Sequence, residues 1–212
     1  MPACLSGAIK VPGAVTFGIS NVPYIEDSDD PNWEPWGPDT VFQMTDDFQI
    51  IAPPEWHKKA LLFAGTSHIE IVPPTMDEAV GMTLCILDSN PGEPDMDGWN
   101  QYSEVSATFL PGPPANLNDN YGGPAGYPGE PINDWRLPCG TWRVRGYAYY
   151  EYTKTDNGTP GTHPDSVEFM DYPDSGRTWD SLPGQMRLEF WPEDTLRPRQ
   201  DIFPPLEGRI AK

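Results

Sequence analysis

Basic residues are scarce in this chain and absent from long parts of it. No Lys or Arg occurs in residues 11–57 or in residues 60–135. Residues 1–135 hold 20 Asp and Glu against three Lys, a formal charge of −17. Residues 136–212 hold 12 acids against 10 bases, so most of the total of −19 sits in the first two thirds. Such a surface repels nucleic acid and anionic membranes, and attracts cations or basic proteins. Histidine is also rare. His57, His68 and His163 lie at no metal-ligand spacing, and none sits beside a nucleophile signature. There is no G-x-S-x-G, no phosphate-binding loop, no H-E-x-x-H and no C-x-x-C. Nothing in the sequence points to catalysis, and the chain reads as a non-enzyme.

Cysteine is nearly absent too. Cys4, Cys85 and Cys139 are odd in number and widely spaced, which argues against a disulfide framework or a zinc site. Buried thiols are the first expectation, with a single bridge left open. No apolar run approaches the roughly 20 residues that span a bilayer as a helix. Met1-Pro2-Ala3-Cys4-Leu5 shows no basic stretch leading into an apolar one, so no secretory signal is expected and the cytoplasm is the expected location.

What the chain does have is aromatic and turn-forming residues. Hydrophobic residues make up only 37%, yet aromatics reach 12% with eight Trp, enough large side chains to build a core. The 27 Pro and 20 Gly cut the sequence into pieces too short for long helices. Apolar runs rich in β-branched and aromatic residues predict strands at 14–20, 40–45, 48–52, 60–64, 68–72, 82–88, 102–110, 132–137, 141–152, 166–170 and 185–191. Val105, Ala107 and Phe109 alternate onto one face. Trp142, Val144 and Ala148 fall opposite Arg143, Arg145, Tyr147 and Tyr149, with Gly146 marking a bulge or a close contact. A helical fragment is expected only at 75–80. The expected fold is all-β: one domain over 1–212, an antiparallel β-sandwich or flattened barrel. Long Pro/Gly/Asp-rich loops are expected near 24–39, 90–100, 111–130 and 156–165.

Two acidic loops stand out. The first, at 26–36, sets Asp27, Asp29, Asp30 and Glu34 around Trp33 and Trp36. The second, at 88–100, carries Glu93, Asp95, Asp97 and Trp99. Aromatic anchors ringed by carboxylates suit capture of a basic protein partner; a solvated loop whose Trp residues fold back on the core is the competing reading. Asp95, Asp97 and Asn100 alternate oxygen ligands around Gly98, so calcium is the one cofactor the sequence suggests, though Asp-Gly is also a common turn dipeptide. Arg143 and Arg145 are expected to pair with the chain's own carboxylates across strands.

Three blocks also carry a resemblance. They are Gly81-Met82-Thr83-Leu84-Cys85-Ile86-Leu87-Asp88 followed by Asp97-Gly98-Trp99-Asn100-Gln101-Tyr102-Ser103-Glu104-Val105-Ser106, then Leu137-Pro138-Cys139-Gly140-Thr141-Trp142-Arg143-Val144-Arg145-Gly146-Tyr147-Ala148, and Met186-Arg187-Leu188-Glu189-Phe190-Trp191-Pro192. In this order they resemble a family of small bacterial β-rich proteins with W–x–x–V/Y–x–E–x–S, PGxYRVRV and LxLWP blocks. Cys139 stands where Pro is typical. The layout is more distantly similar to the nuclease inhibitor of bacterial competence systems. That resemblance implies an inhibitor or immunity-type binding protein whose partner is a basic protein such as a nuclease toxin. A carbohydrate-binding module, with Trp stacking on sugar, and a structural or virion-surface protein are the alternatives.

Overall fold

The computed structural model describes residues 3–10, 17–21, 43–44, 50–51, 61–65, 67–72, 79–99, 101–119, 123–150, 153–154, 160–161, 172, 176–182, 184–198 and 200–202. The architecture is all-β, a sandwich of two open sheets and not a closed barrel. The larger sheet has six strands in the order β1-β7-β13-β10-β8-β14. These are β1 (Ala3–Lys10), β7 (Ala79–Ile86), β13 (Gly184–Pro192), β10 (Gly140–Tyr150), β8 (Gln101–Phe109) and β14 (Gln200–Ile202). The smaller sheet runs β5-β6-β2-β9, from Leu62–Gly65, His68–Ile71, Phe17–Ser20 and Asn116–Asn118. Two short ribbons complete the described strands: β3 (Gln43–Met44) with β4 (Ile50–Ile51), and β11 (Thr153–Lys154) with β12 (Pro160–Gly161). The larger sheet is not wholly antiparallel as expected, because β13 runs parallel to β7.

The alternation on β8 and β10 decides which residues face the second sheet. Val105, Ala107 and Phe109 lie in the shared core with Trp142, Val144 and Ala148. They meet Phe17, Ile19, Leu62, Ile69, Ile71 and Leu117 from the smaller sheet. Full burial of each large apolar side chain contributes about 1.5–3 kcal/mol. The ladders of β10 with β8 and with β13 continue without a break through Gly146, so there is no bulge. Gly146 is instead a close contact, since a Cβ there would stand 3.0 Å from both Leu188 Cδ2 and Leu62 Cδ1.

Other expectations are corrected. The segment predicted as a strand at 132–137 is a 3-10 turn over Pro131–Asp134. Pro at the first helical position favours a turn over a ladder; Ile132 is buried from the turn, Trp135 from the residue that ends it, and Leu137 from a single bridge to Ala115. The helical fragment expected at 75–80 is overturned at its end, where Ala79 and Val80 open β7; residues 75–78 lie outside the described residues. The 111–130 loop contains β9, bridged at Ala115 to Leu137 and at Asn118 to Pro124. The 156–165 loop contains β12. The expected loop at 24–39 and the strand at 166–170 fall outside the described residues. Most consequentially, Cys4 and Cys85 are not free thiols. They are directly opposed on β1 and β7 and joined by a disulfide, while Cys139 is free. A sequence separation of 81 hides this pair, which only the β1–β7 ladder brings together.

Candidate functional site

The candidate site lies on the face of the six-stranded sheet turned away from the core. Strand periodicity sends Tyr102, Glu104 and Ser106 of β8, Arg143, Arg145 and Tyr147 of β10, and Glu189 and Trp191 of β13 to this face. Glu104 stands opposite Arg145 in the ladder. A charge-bearing sheet face would ordinarily be wet, but here Arg143 is 1% exposed and Glu104 and Arg145 4% each. Buried charges persist only when paired and hydrogen-bonded.

The pairing is complete. Glu104 Oε1 accepts from Arg143 Nε at 2.7 Å, and Oε2 accepts from Arg145 Nε at 3.0 Å. The Tyr102 hydroxyl donates a short bond to Glu104 Oε2. Burial pushes the Glu104 carboxyl upward in pKa, but the bonds from Tyr102, Arg143 and Arg145 outweigh it and hold the group below the ordinary carboxylate range. Burial opposes the charge on Arg145 as well; its bond to Glu104 reverses the sign and keeps the guanidinium protonated. The Arg145 guanidinium lies 5.0 Å from the Trp191 ring and 5.9 Å from that of Tyr102, a further stabilisation of the cation.

The remaining guanidinium donors hold two covering segments. Arg145 Nη2 donates to Gly92 O at 2.7 Å, and Trp99 packs on Tyr147 with centroids 5.5 Å apart. These contacts fasten the acidic loop at 88–99 to the sheet. Arg143 Nη1 donates to Ser106 Oγ (2.9 Å) and to Arg197 O (3.0 Å), while Nη2 donates to Pro198 O (3.0 Å). Ser106 Oγ donates to Glu193 Oε2 at 2.6 Å and accepts from Arg197 N at 3.0 Å. The segment at 193–198 thereby crosses β10 and delivers β14 to the free edge of β8.

Glu93, Asp95 and Asp97 of the anchored loop point to solvent, and among the described residues no ion pair takes them. Trp99 does not stand out as an exposed anchor; it is half-buried as the loop's fastening. Asp95 Oδ1 accepts from Asp97 N at 3.0 Å, and Gly98 adopts φ 76°. This is an Asx turn with a glycine in the left-handed region. Asn100 lies outside the described residues, and among the described residues no three His, Cys, Asp or Glu gather as a metal site. The first acidic loop, with Asp27, Asp29, Asp30, Trp33, Glu34 and Trp36, lies wholly outside the described residues.

No family model matches the sequence, and neither does any curated protein. Among solved structures the chain is similar to one described as "Crocagin biosynthetic gene J", at 17% identity and a TM-score of 0.39. The likeness covers 90% of this chain and 99% of that one. At that distance it carries no functional argument.

Sequence reasoning found Arg143 and Arg145 and expected internal carboxylates for them. It missed Glu104 as the partner, and Ser106 and Trp191 as members of the same network. Trp99, Tyr102, Glu104, Ser106, Arg143, Arg145 and Trp191 all belong to the three sequence blocks singled out above. The fold brings those blocks onto one sheet face. Chemically the cluster has its strong donors and acceptors satisfied by the chain itself, which suits positioning of the covering segments. Among the described residues no helix is long and apolar enough to cross a membrane.

Proposed function

We propose that this protein is a non-enzymatic acidic binding protein that captures a basic protein, as an inhibitor or immunity-type protein blocking a nuclease would. The observation that carries the reading is the acidic loop at 88–99. It is pinned from beneath by Arg145 and by the Trp99–Tyr147 contact, while Glu93, Asp95 and Asp97 stay exposed. Binding a partner through a segment already held in place avoids the ordering cost a free loop would incur. The formal charge of −19 supplies long-range attraction for a cationic surface. Carboxylates set over a nuclease's phosphate-binding surface would occlude it by charge complementarity. The sequence resemblance to the nuclease inhibitor of competence systems points the same way.

The test uses a purified basic nuclease, with DNA cleavage and association kinetics as readouts and poly-lysine as a control for unspecific attraction. Inhibition of cleavage is expected, with an association rate that falls at least tenfold between about 0.05 and about 0.5 M salt. The triple substitution Glu93→Gln, Asp95→Asn, Asp97→Asn keeps the Asx-turn acceptor and should slow association without unfolding the protein. An association rate indifferent to salt and to these substitutions would sink the proposal.

The carbohydrate reading has less behind it. The described Trp residues are Trp99, Trp135, Trp142, Trp179 and Trp191, and none of them is exposed. A stacking platform would have to come from Trp33, Trp36 and Trp56, outside the described residues.

A further inference from the structure

We propose that β1 is a redox-gated edge strand, closed by the Cys4–Cys85 disulfide and opened at its N-terminal half by thiols. β1 lies at the edge of the six-stranded sheet, with β7 on one side. Its two halves are held differently. Ala8 and Ile9 are fully buried, and both neighbouring even-numbered residues bond outward: Lys10 N donates to Ala125 O at 2.8 Å and Ala8 O accepts from Tyr127 N at 3.1 Å. Ile9 also bridges Gly126. The C-terminal half is therefore gripped from both sides.

The N-terminal half is not. Ala3 and Cys4 are exposed, and Leu5 and Ser6 are half-buried. Among the described residues its ladder runs to β7, with one side-chain bond, Ser6 Oγ to Thr83 Oγ1 at 2.8 Å, and Leu5 alone of the four packs against the core. Since Ala8 and Lys10 turn their backbone groups away from β7, the period of two turns those of Cys4 the same way. Cys4 and Cys85 thus form a non-hydrogen-bonded pair, with Cα atoms 4.1 Å apart, and the sulfur bridge is the direct link between them. The sulfur open to attack is that of Cys4, because Cys85 is buried at 1% exposure.

The chemistry balances as thiol–disulfide exchange. A thiolate RS⁻ attacks Cys4 Sγ, the Cys4–Cys85 bond breaks, and Cys85 leaves as a thiolate that takes up a proton. A second RS⁻ attacks the mixed disulfide and frees Cys4, giving two protein thiols and RSSR, so the protein gains two electrons and two protons. With the link gone, residues 3–6 are held, among the described residues, by a short ladder to β7 and by the packing of Leu5 on the core, and the backbone groups of Leu84 and Ile86 that face β1 are free to open. Oxidising surroundings keep the gate shut, and a reducing cytosol opens it.

The test is hydrogen exchange read by mass spectrometry on the full chain carrying Cys139→Ser, with and without dithiothreitol. Thiol labelling should find no free thiol in the oxidised protein and two after reduction. Reduction should speed exchange at Leu5 and Leu84 by about tenfold or more and leave Ile9 and Val80 unchanged, the mark of a local opening. Cys4→Ser in the same background should reproduce the reduced pattern, with Trp fluorescence unchanged as evidence that the sandwich persists. Two free thiols in air-oxidised folded protein, equal exchange in both states, or loss of the whole fold on reduction would each overturn the gate.

Discussion

Replacing Glu104 with Gln should be among the most damaging single changes in this protein. The substitution keeps the side chain's shape and one carbonyl acceptor, but removes the charge that offsets two guanidiniums, Arg143 and Arg145, at 1% and 4% exposure. It also places an amide donor where Glu104 now accepts from Arg143, Arg145 and Tyr102, so at least one donor faces another. Breaking a buried pair by removing one partner costs about 3–5 kcal/mol, because the charge left behind has no compensation. With a urea slope of about 2 kcal/mol per molar, the unfolding midpoint should fall by roughly 1.5–2.5 M. The pH dependence provides a second readout. Glu104 is held below the ordinary carboxylate range, so its contribution is present above the unfolded pKa of about 4.3 and is lost as pH falls through the folded value. The gap between wild type and Glu104→Gln should therefore be widest near neutrality and close in acid. A midpoint shift below about 0.5 M, or a gap that widens as pH falls, would refute the account of Glu104 as the charge that holds the face together.

Three further outcomes are expected. Gly81→Ala would drive its Cβ into the Trp179 carbonyl, a backbone atom that cannot rotate away. The 3-10 turn Trp179–Ser181, which packs with Leu182 beside Ala79 of β7, must then shift, at a cost of about 1–3 kcal/mol measurable by denaturant unfolding, and an unchanged midpoint would show that the turn is not packed there. Trp99→Ala removes the fastening on Tyr147, so exchange of amides in 92–98 should rise by between about twofold and about tenfold, with the global midpoint much less affected. Two tyrosines should resist alkaline titration followed by ultraviolet absorbance. Burial and the bond to Glu104 push Tyr102 above the ordinary range, and burial and the bond to Glu130 push Tyr172 up to about 12. Their contribution to stability is full below the unfolded value near 10 and is lost as pH rises through the folded values; all tyrosines ionising together near 10 would refute it.

Much of the larger sheet was legible because β8, β10 and β13 alternate strongly. Trp142, Val144 and Ala148 against Arg143, Arg145 and Tyr147 leaves one register in which the apolar set is buried. β1 was not legible. Ala3–Lys10 reads ACLSGAIK, short on β-branched and aromatic residues, and it is a strand because β7 and the Ala125–Tyr127 segment supply partners. β9 was hidden for the same reason among Pro and Asn residues, where three residues pair with β2. The apolar spacing at 132–137 misled because Ile132 in a turn, Trp135 just after it and Leu137 in a single bridge are buried as well as they would be from one strand.

By itself the sequence determined the all-β class, the composition of the core faces and the net negative charge, since these follow from local alternation, turn residues and residue counts. The tertiary structure alone decided three things. It chose Glu104 as the carboxylate that pairs with both Arg143 and Arg145, from 32 acids in the chain. It placed the acidic loop at 88–99 over that pair, through Gly92 O and Trp99. It joined Cys4 to Cys85 across 81 positions. Each is a contact between segments far apart in the chain, and such contacts depend on strand order and register, which local residue pattern does not encode.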